Sequence, residues 1–125
     1  MRFLRLACAV AVPVSLVLGA AWAAPPEPDC GKNEFTYARS LRELPPDVQR
    51  ALGVGETGFS AIVEPGQPFN QTDNLIWGLP GRRLRQAKMN SNCTILEIEQ
   101  GGIALQVIRL TYVRTKAGWV RAATR

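Results

Sequence analysis

The sequence predicts an α+β fold: a small antiparallel β-meander with one main helix packed against it, held by one disulfide. Three observations lead there. The second half of the chain alternates runs rich in Ile, Val, Leu, Thr and Tyr with short Gly- or Asn-containing breaks, the pattern of strands joined by turns. One segment, Pro45 to Gly53, carries helix start and stop signals together. Two cysteines, Cys30 and Cys93, remain once the apolar N-terminus is set aside.

The first residues, MRFLRLACAVAVPVSLVLGAAWA, have a positive head at Arg2 and Arg5, an uncharged apolar run from Leu6 to Ala20, and the small-x-small pattern Ala21-Trp22-Ala23. This is the design of a secretory signal peptide over residues 1–23, with cleavage expected after Ala23. The run is short, Ala-rich and interrupted by Pro13, so no membrane span is expected once it is removed. Its short head and Ala-rich core fit bacterial export to the periplasm or beyond. Residues 24–34, beginning APPEPD, read as a Pro-rich leader, and residues 35–125 as a single domain. In an oxidising compartment Cys30 and Cys93 most simply form one structural disulfide, since Cys8 leaves with the signal.

Within the domain, Phe35 to Leu44 is ambiguous: Ser40-x-x-Glu43 fits a capping box, but Pro45 leaves no room for a helix behind it. In Pro45 to Gly53, Pro46 suits the first turn, Asp47 the positive end of the dipole and Gly53 a left-handed stop. Val48, Ala51 and Leu52 then share a face. Phe59 to Glu64 reads as a strand ended by Pro65-Gly66, and a long loop runs on to Gly81. Strands are expected at Arg83 to Met89, Cys93 to Gln100, Ile103 to Arg114 and Trp119 to Thr124, with Gly101-Gly102 as a tight turn. The alternation of Ile103 to Arg114 slips at Val107-Ile108, which predicts a bulge there or burial on both faces.

The chain has no histidine, no phosphate-binding Gly loop and no dinucleotide fingerprint, so the commonest general base and metal ligand are missing. Neither catalytic nor metal-binding residues are assigned, no cofactor is expected, and the protein is read as a non-enzyme. A carboxylate chemistry would have to use Asp73, Glu97 and Glu99, of which Glu97 and Glu99 share a strand face.

Charge is uneven. Removing Arg2 and Arg5 from the 15 basic residues leaves 13, against 10 acidic ones. Ala24 to Gly81 holds Lys32, Arg39, Arg42 and Arg50 against eight carboxylates, whereas Arg82 to Arg125 holds nine basic residues against Glu97 and Glu99. Either the two halves pair internally, or the basic half meets an anionic partner. The long loop, Pro65 to Gly81, carries Trp77 and leads directly into the first arginines within the stretch FNQTDNLIWGLPGRRLRQ, Phe69 to Gln86, and loops this long commonly bind something. Trp77, Arg82, Arg83, Arg85 and Lys88 are therefore the expected binding residues, for an envelope protein or anionic envelope component rather than nucleic acid. A second reading is a small-ligand pocket between helix and sheet lined by Phe59, Trp77, Leu105 and Tyr112. Asn70-Gln71-Thr72 and Asn92-Cys93-Thr94 match the glycosylation sequon but read as turn chemistry in a bacterial chain.

The motifs Phe69-Asn70-x-Thr72-Asp73, Leu79-Pro80-x-Arg82-Arg83 and Glu99-x-Gly101-Gly102-Ile103 resemble those of small exported proteobacterial proteins of unknown function. The resemblance implies export and a common fold. It implies no activity and carries over no site residue.

Overall fold

The computed structural model describes residues 28–123. The expected signal segment, its cleavage point after Ala23 and the first leader residues lie outside the described residues. In chain order the elements are β1 (Thr36–Ala38), a 3-10 turn (Leu41–Glu43), α1 (Pro46–Leu52), β2 (Ile62–Val63), β3 (Arg82–Met89), β4 (Cys93–Gln100), β5 (Gln106–Thr115) and β6 (Gly118–Arg121). They form one sheet in the order β1-β3-β4-β5-β6, with β2 added beside β3. The meander β3 to β6 is antiparallel throughout, as expected. Among the described residues strand far outweighs helix, and α1 is the single α-helix.

The helix lies where its end signals place it. Pro46 opens it, and Gly53 closes it in the left-handed region at φ 73°. The Gly53 N–H returns to the Arg50 and Gln49 carbonyls, a Schellman-type end open to glycine. Ser40 does cap, but on the 3-10 turn: its Oγ accepts the Arg42 N–H, while the Glu43 carboxylate accepts the Arg39 N–H at 2.9 Å. Pro45 confines this capping to one turn.

One sheet face carries the core. Leu84, Ala87, Leu96, Ile98, Leu110 and Tyr112 point inward from β3, β4 and β5, and Leu41, Leu44, Val48 and Leu52 cover them from the turn and α1. The Asp47 carboxylate accepts the Trp119 N–H at 3.2 Å, fastening α1 to β6. The opposite sheet face carries Tyr37, Lys88, Ile95, Glu97, Glu99 and Arg109 and is only partly covered.

The closing strand β6 ends at Arg121 rather than Thr124 and Ala51 of α1 is exposed, and three larger features differ from the sequence expectation. First, β2 is Ile62–Val63 rather than Phe59 to Glu64, and it pairs parallel with β3 through Ile62 and Arg82. A parallel neighbour needs a crossover of a dozen or more residues, which accounts for the length of the loop 64–81. Second, Gly101-Gly102 is not a tight turn. The chain bends over residues 101–105 and β5 begins at Gln106. With Ile103 and Leu105 in the turn, the slip at Val107-Ile108 disappears and β5 pairs with β4 without a break. Third, the register shift falls in β3, between Leu84 and Gln86, so Arg85 is the extra residue.

The Cys30–Cys93 disulfide is present, with Cα atoms 5.2 Å apart. It pins the leader against the β3–β4 turn, where Asn90 Nδ2 donates to the Cys30 and Asn33 carbonyls at 3.0 and 3.1 Å. No helix among the described residues is long and apolar enough to cross a membrane.

Candidate functional site

The two ends of the sheet differ in chemistry. At one end the turns read Asn90-Ser91-Asn92 and Lys116-Ala117; they carry no large apolar side chain, and all but the half-buried Asn90 are exposed. At the other end lie the crossover loop and the β4–β5 turn, and both present large apolar side chains to solvent: Leu75 at 60 %, Ile76 at 62 %, Trp77 at 99 % and Ile103 at 97 % exposure. Exposed apolar side chains gathered on neighbouring loops are unusual in a water-exposed turn region, although Tyr37, paired with Lys88 nearer the other end, is also 68 % exposed.

The crossover loop is held from inside by Asn70. Its Oδ1 accepts the Ile76 N–H at 2.7 Å, and its Nδ2 donates to the Ile76 and Leu79 carbonyls at 3.2 and 2.7 Å. Its backbone N–H donates to the Pro80 carbonyl at 2.7 Å. Asn70 and Phe69 are buried, whereas residues 71–78 are exposed. The buried side chain thus substitutes for regular structure, closing the loop so that Leu75, Ile76 and Trp77 project outward. The β4–β5 turn docks on the same loop. The Gly101 N–H donates to the Gly81 carbonyl at 2.9 Å, and Gly101 presses so closely on the Asn70 carbonyl that a Cβ would stand 1.7 Å from its oxygen.

Beside Trp77 the loop encloses an open hollow of about 320 Å³, lined by Gly58, Phe59, Asn70 and residues 75–79. The Phe59 ring packs over Gly81, and the Phe59 carbonyl accepts the Gly81 N–H at 2.8 Å. The pocket expected between helix and sheet thus shares only Phe59 and Trp77 with the observed one. Tyr112 is buried in the core and Leu105 lies in the β4–β5 turn. A smaller hollow of about 70 Å³ lies on the outer sheet face between Tyr37, Lys88, Glu97 and Arg109.

The five expected binding residues do not form one surface. Trp77 stands at the loop tip. Arg82 is turned inward: its Nε donates to the Ser60 carbonyl at 3.0 Å, and its Nη2 donates to the Leu52 carbonyl at 2.8 Å and again to Ser60. Arg83 pairs with Glu99 at 2.7 Å, donates to the Gln67 carbonyl at 3.1 Å and lies 4.5 Å from the Phe69 ring centroid. Both guanidiniums therefore fasten the crossover loop and the helix end to β3. Arg85 is exposed on the bulge. Lys88 lies toward the far end of β3, roughly 20 Å along the strand from Arg82, with its Nζ 4.9 Å from the Phe35 ring centroid.

Nor do the other cations share a face. Arg109 pairs in register with Glu97 on the outer face, whereas Arg114 and Arg121 align with Trp119 and Tyr112. Among the described residues the ion pairs are Arg50–Asp47 and Arg83–Glu99, and neither joins the acidic half to the basic half. Glu97 accepts a hydrogen bond from Gln86 at 2.9 Å, and Glu99 is held by Arg83. No group of three His, Cys, Asp or Glu residues that could hold a metal ion occurs among the described residues. Asp73 remains out on the exposed loop.

The sequence reading passed over Leu75, Ile76 and Ile103 as exposed apolar side chains, and over Asn70 as the residue that holds the loop carrying Leu75 and Ile76. The available signals were an apolar triplet bounded by Asn74 and Gly78 inside a loop, and an Ile directly after Gly101-Gly102. No family model, curated protein or solved structure matches the chain.

Proposed function

We propose that this chain is a non-enzymatic binding protein of the bacterial envelope, exported by its N-terminal segment, which engages another envelope component through the apolar loop end rather than through the arginines of β3. The observation that carries this reading is the near-complete exposure of Trp77 and Ile103 on two loops held side by side. Trp is the residue type most enriched in binding hot spots, and leaving it in water wastes a large apolar area. Arg85 and Lys88 remain available for an anionic group, but Arg82 and Arg83 serve the fold first. A carboxylate enzyme has less support, because Glu97 and Glu99 already have partners and Asp73 stands apart from them.

The test is capture from an envelope extract on immobilised protein, reading proteins and lipids by mass spectrometry. Three columns carry the native chain, the pair Trp77→Ala with Ile103→Ser, and Arg85→Ala. The native column is expected to hold a component that the loop-end pair loses at least tenfold and that Arg85→Ala largely keeps. The same component retained equally on all three columns would sink the loop-end reading.

A further inference from the structure

We infer that the hollow beside Trp77 takes a single hydrocarbon chain, the alkyl or acyl tail of an amphiphile whose head stays in solvent. This rests on the loop-end reading and names the chemistry of what that end binds. Phe59, Leu75, Ile76, Trp77 and Leu79 line the hollow, and the polar side-chain groups of its lining are the Asn70 amide and the Trp77 indole N–H. Asn70 has no capacity to spare: its oxygen holds the Ile76 N–H and its amide holds two loop carbonyls. A sugar, amino acid or nucleotide placed there would lose its water and find in return no side-chain acceptor or charge, and the Trp77 indole N–H as the one uncommitted donor of the lining. A hydrocarbon loses nothing polar on entry.

Size points the same way. A dry cavity of about 150 Å³ admits one benzene ring, and this hollow is about 320 Å³ and partly open to solvent. That shape suits a chain entering end-on with its head outside. The indole of Trp77 is 99 % exposed and is followed by Gly78, around which a Cβ would meet nothing within 4 Å. The ring is therefore free to fold along a bound tail, removing its own apolar face from water. A bilayer surface would engage the projecting side chains and leave the hollow unfilled, whereas a single chain fills it.

The probes are hexanoate, octanoate and decanoate, each below its micelle concentration, with decanol as an uncharged control and neutral phosphatidylcholine vesicles as a separate arm. The protein is the oxidised form recovered after export, and the readout is indole emission. Because Trp119 is partly buried against the core and Trp77 is exposed, a blue shift reports mainly on Trp77. Saturable one-to-one binding is expected, tightening roughly fourfold per added CH₂ until the hollow fills, with decanol close to decanoate. Ile76→Asp, at a position 62 % exposed, should weaken decanoate at least tenfold, and Val120→Asp, 49 % exposed on β6, should not.

The inference is overturned by the absence of saturation at any chain length, by equal loss in Ile76→Asp and Val120→Asp, or by vesicle binding without binding of single chains. Decanoate that displaces the captured envelope component would support both readings. Capture that depends on Trp77 and Ile103 but ignores decanoate would leave the loop-end reading standing and remove the hydrocarbon one.

Discussion

Asn70 and Gly101 meet at the point that holds the crossover loop and the β4–β5 turn together. Three side-chain hydrogen bonds from one buried Asn replace the ladder that a strand would supply to residues 76–79. Asn70→Ala leaves those backbone groups without partners and should cost about 1–3 kcal/mol. Gly101→Ala acts on the same contact from the other side. Its Cβ would overlap the Asn70 carbonyl, which is backbone and cannot swing aside, and overpacking of this kind costs about 1–3 kcal/mol. Both changes should lower the urea midpoint, and both should raise amide exchange selectively over residues 70–81. The two effects should also be less than additive, because each releases the same contact. Unchanged exchange in that segment would show that the loop is held by something else. Asn70 was read as turn chemistry and Gly101 as half of a tight turn. Neither reading anticipates their contact, because it joins residues distant in sequence and only the sheet register brings them together.

The elements divide into those whose determinants are local and those set by pairing. Helix α1 and strand β4 were legible because their signals lie within them: Pro46 and Gly53 for the helix, and Thr94, Leu96 and Ile98 alternating with Ile95, Glu97 and Glu99 for the strand. The parallel pairing of β2 was not legible, since Ile62 and Val63 carry nothing that distinguishes a parallel from an antiparallel neighbour. The slip at Val107-Ile108 came only from counting Ile103 and Leu105 as strand when they lie in the turn, and the bulge lies in β3 at Arg85. Arg82 and Arg83 looked available because sequence cannot show that the Leu52, Ser60 and Gln67 carbonyls converge on them. Strand β4 carries one internal inconsistency. Thr94 is fully buried on the core face, and its hydroxyl has no hydrogen-bond partner among the described residues. Replacing it with Val keeps the β-branched shape and removes the stranded polar atom, so Thr94→Val should leave the midpoint unchanged or raise stability by up to about 1 kcal/mol. A clear loss of stability on thermal or urea unfolding would mean that the hydroxyl has a partner in solution.

Across the whole molecule, the covalent staple and the apolar end lie at opposite poles of the sheet. The Cys30–Cys93 bond closes a separation of 63 residues, and the chain-entropy relation gives about 4 kcal/mol for a loop of that size. For a domain with one short helix and a core facing one side of a single sheet, that is a large share of the stability expected. The double change Cys30→Ser with Cys93→Ser should therefore lower the urea midpoint strongly. It should also raise the slope of the transition, because the unfolded chain becomes freer to expand. Adding reductant to the native protein should produce the same shift. The bond holds the leader to Asn90 and the β3–β4 turn and touches neither Asn70 nor Gly101. Well below its own midpoint, the double-serine protein should accordingly bind decanoate as the native protein does. Loss of binding there, with the fold intact by circular dichroism, would show that the two poles are coupled through the strands. Binding preserved with a lowered midpoint would assign the disulfide to stability and the loop end to recognition.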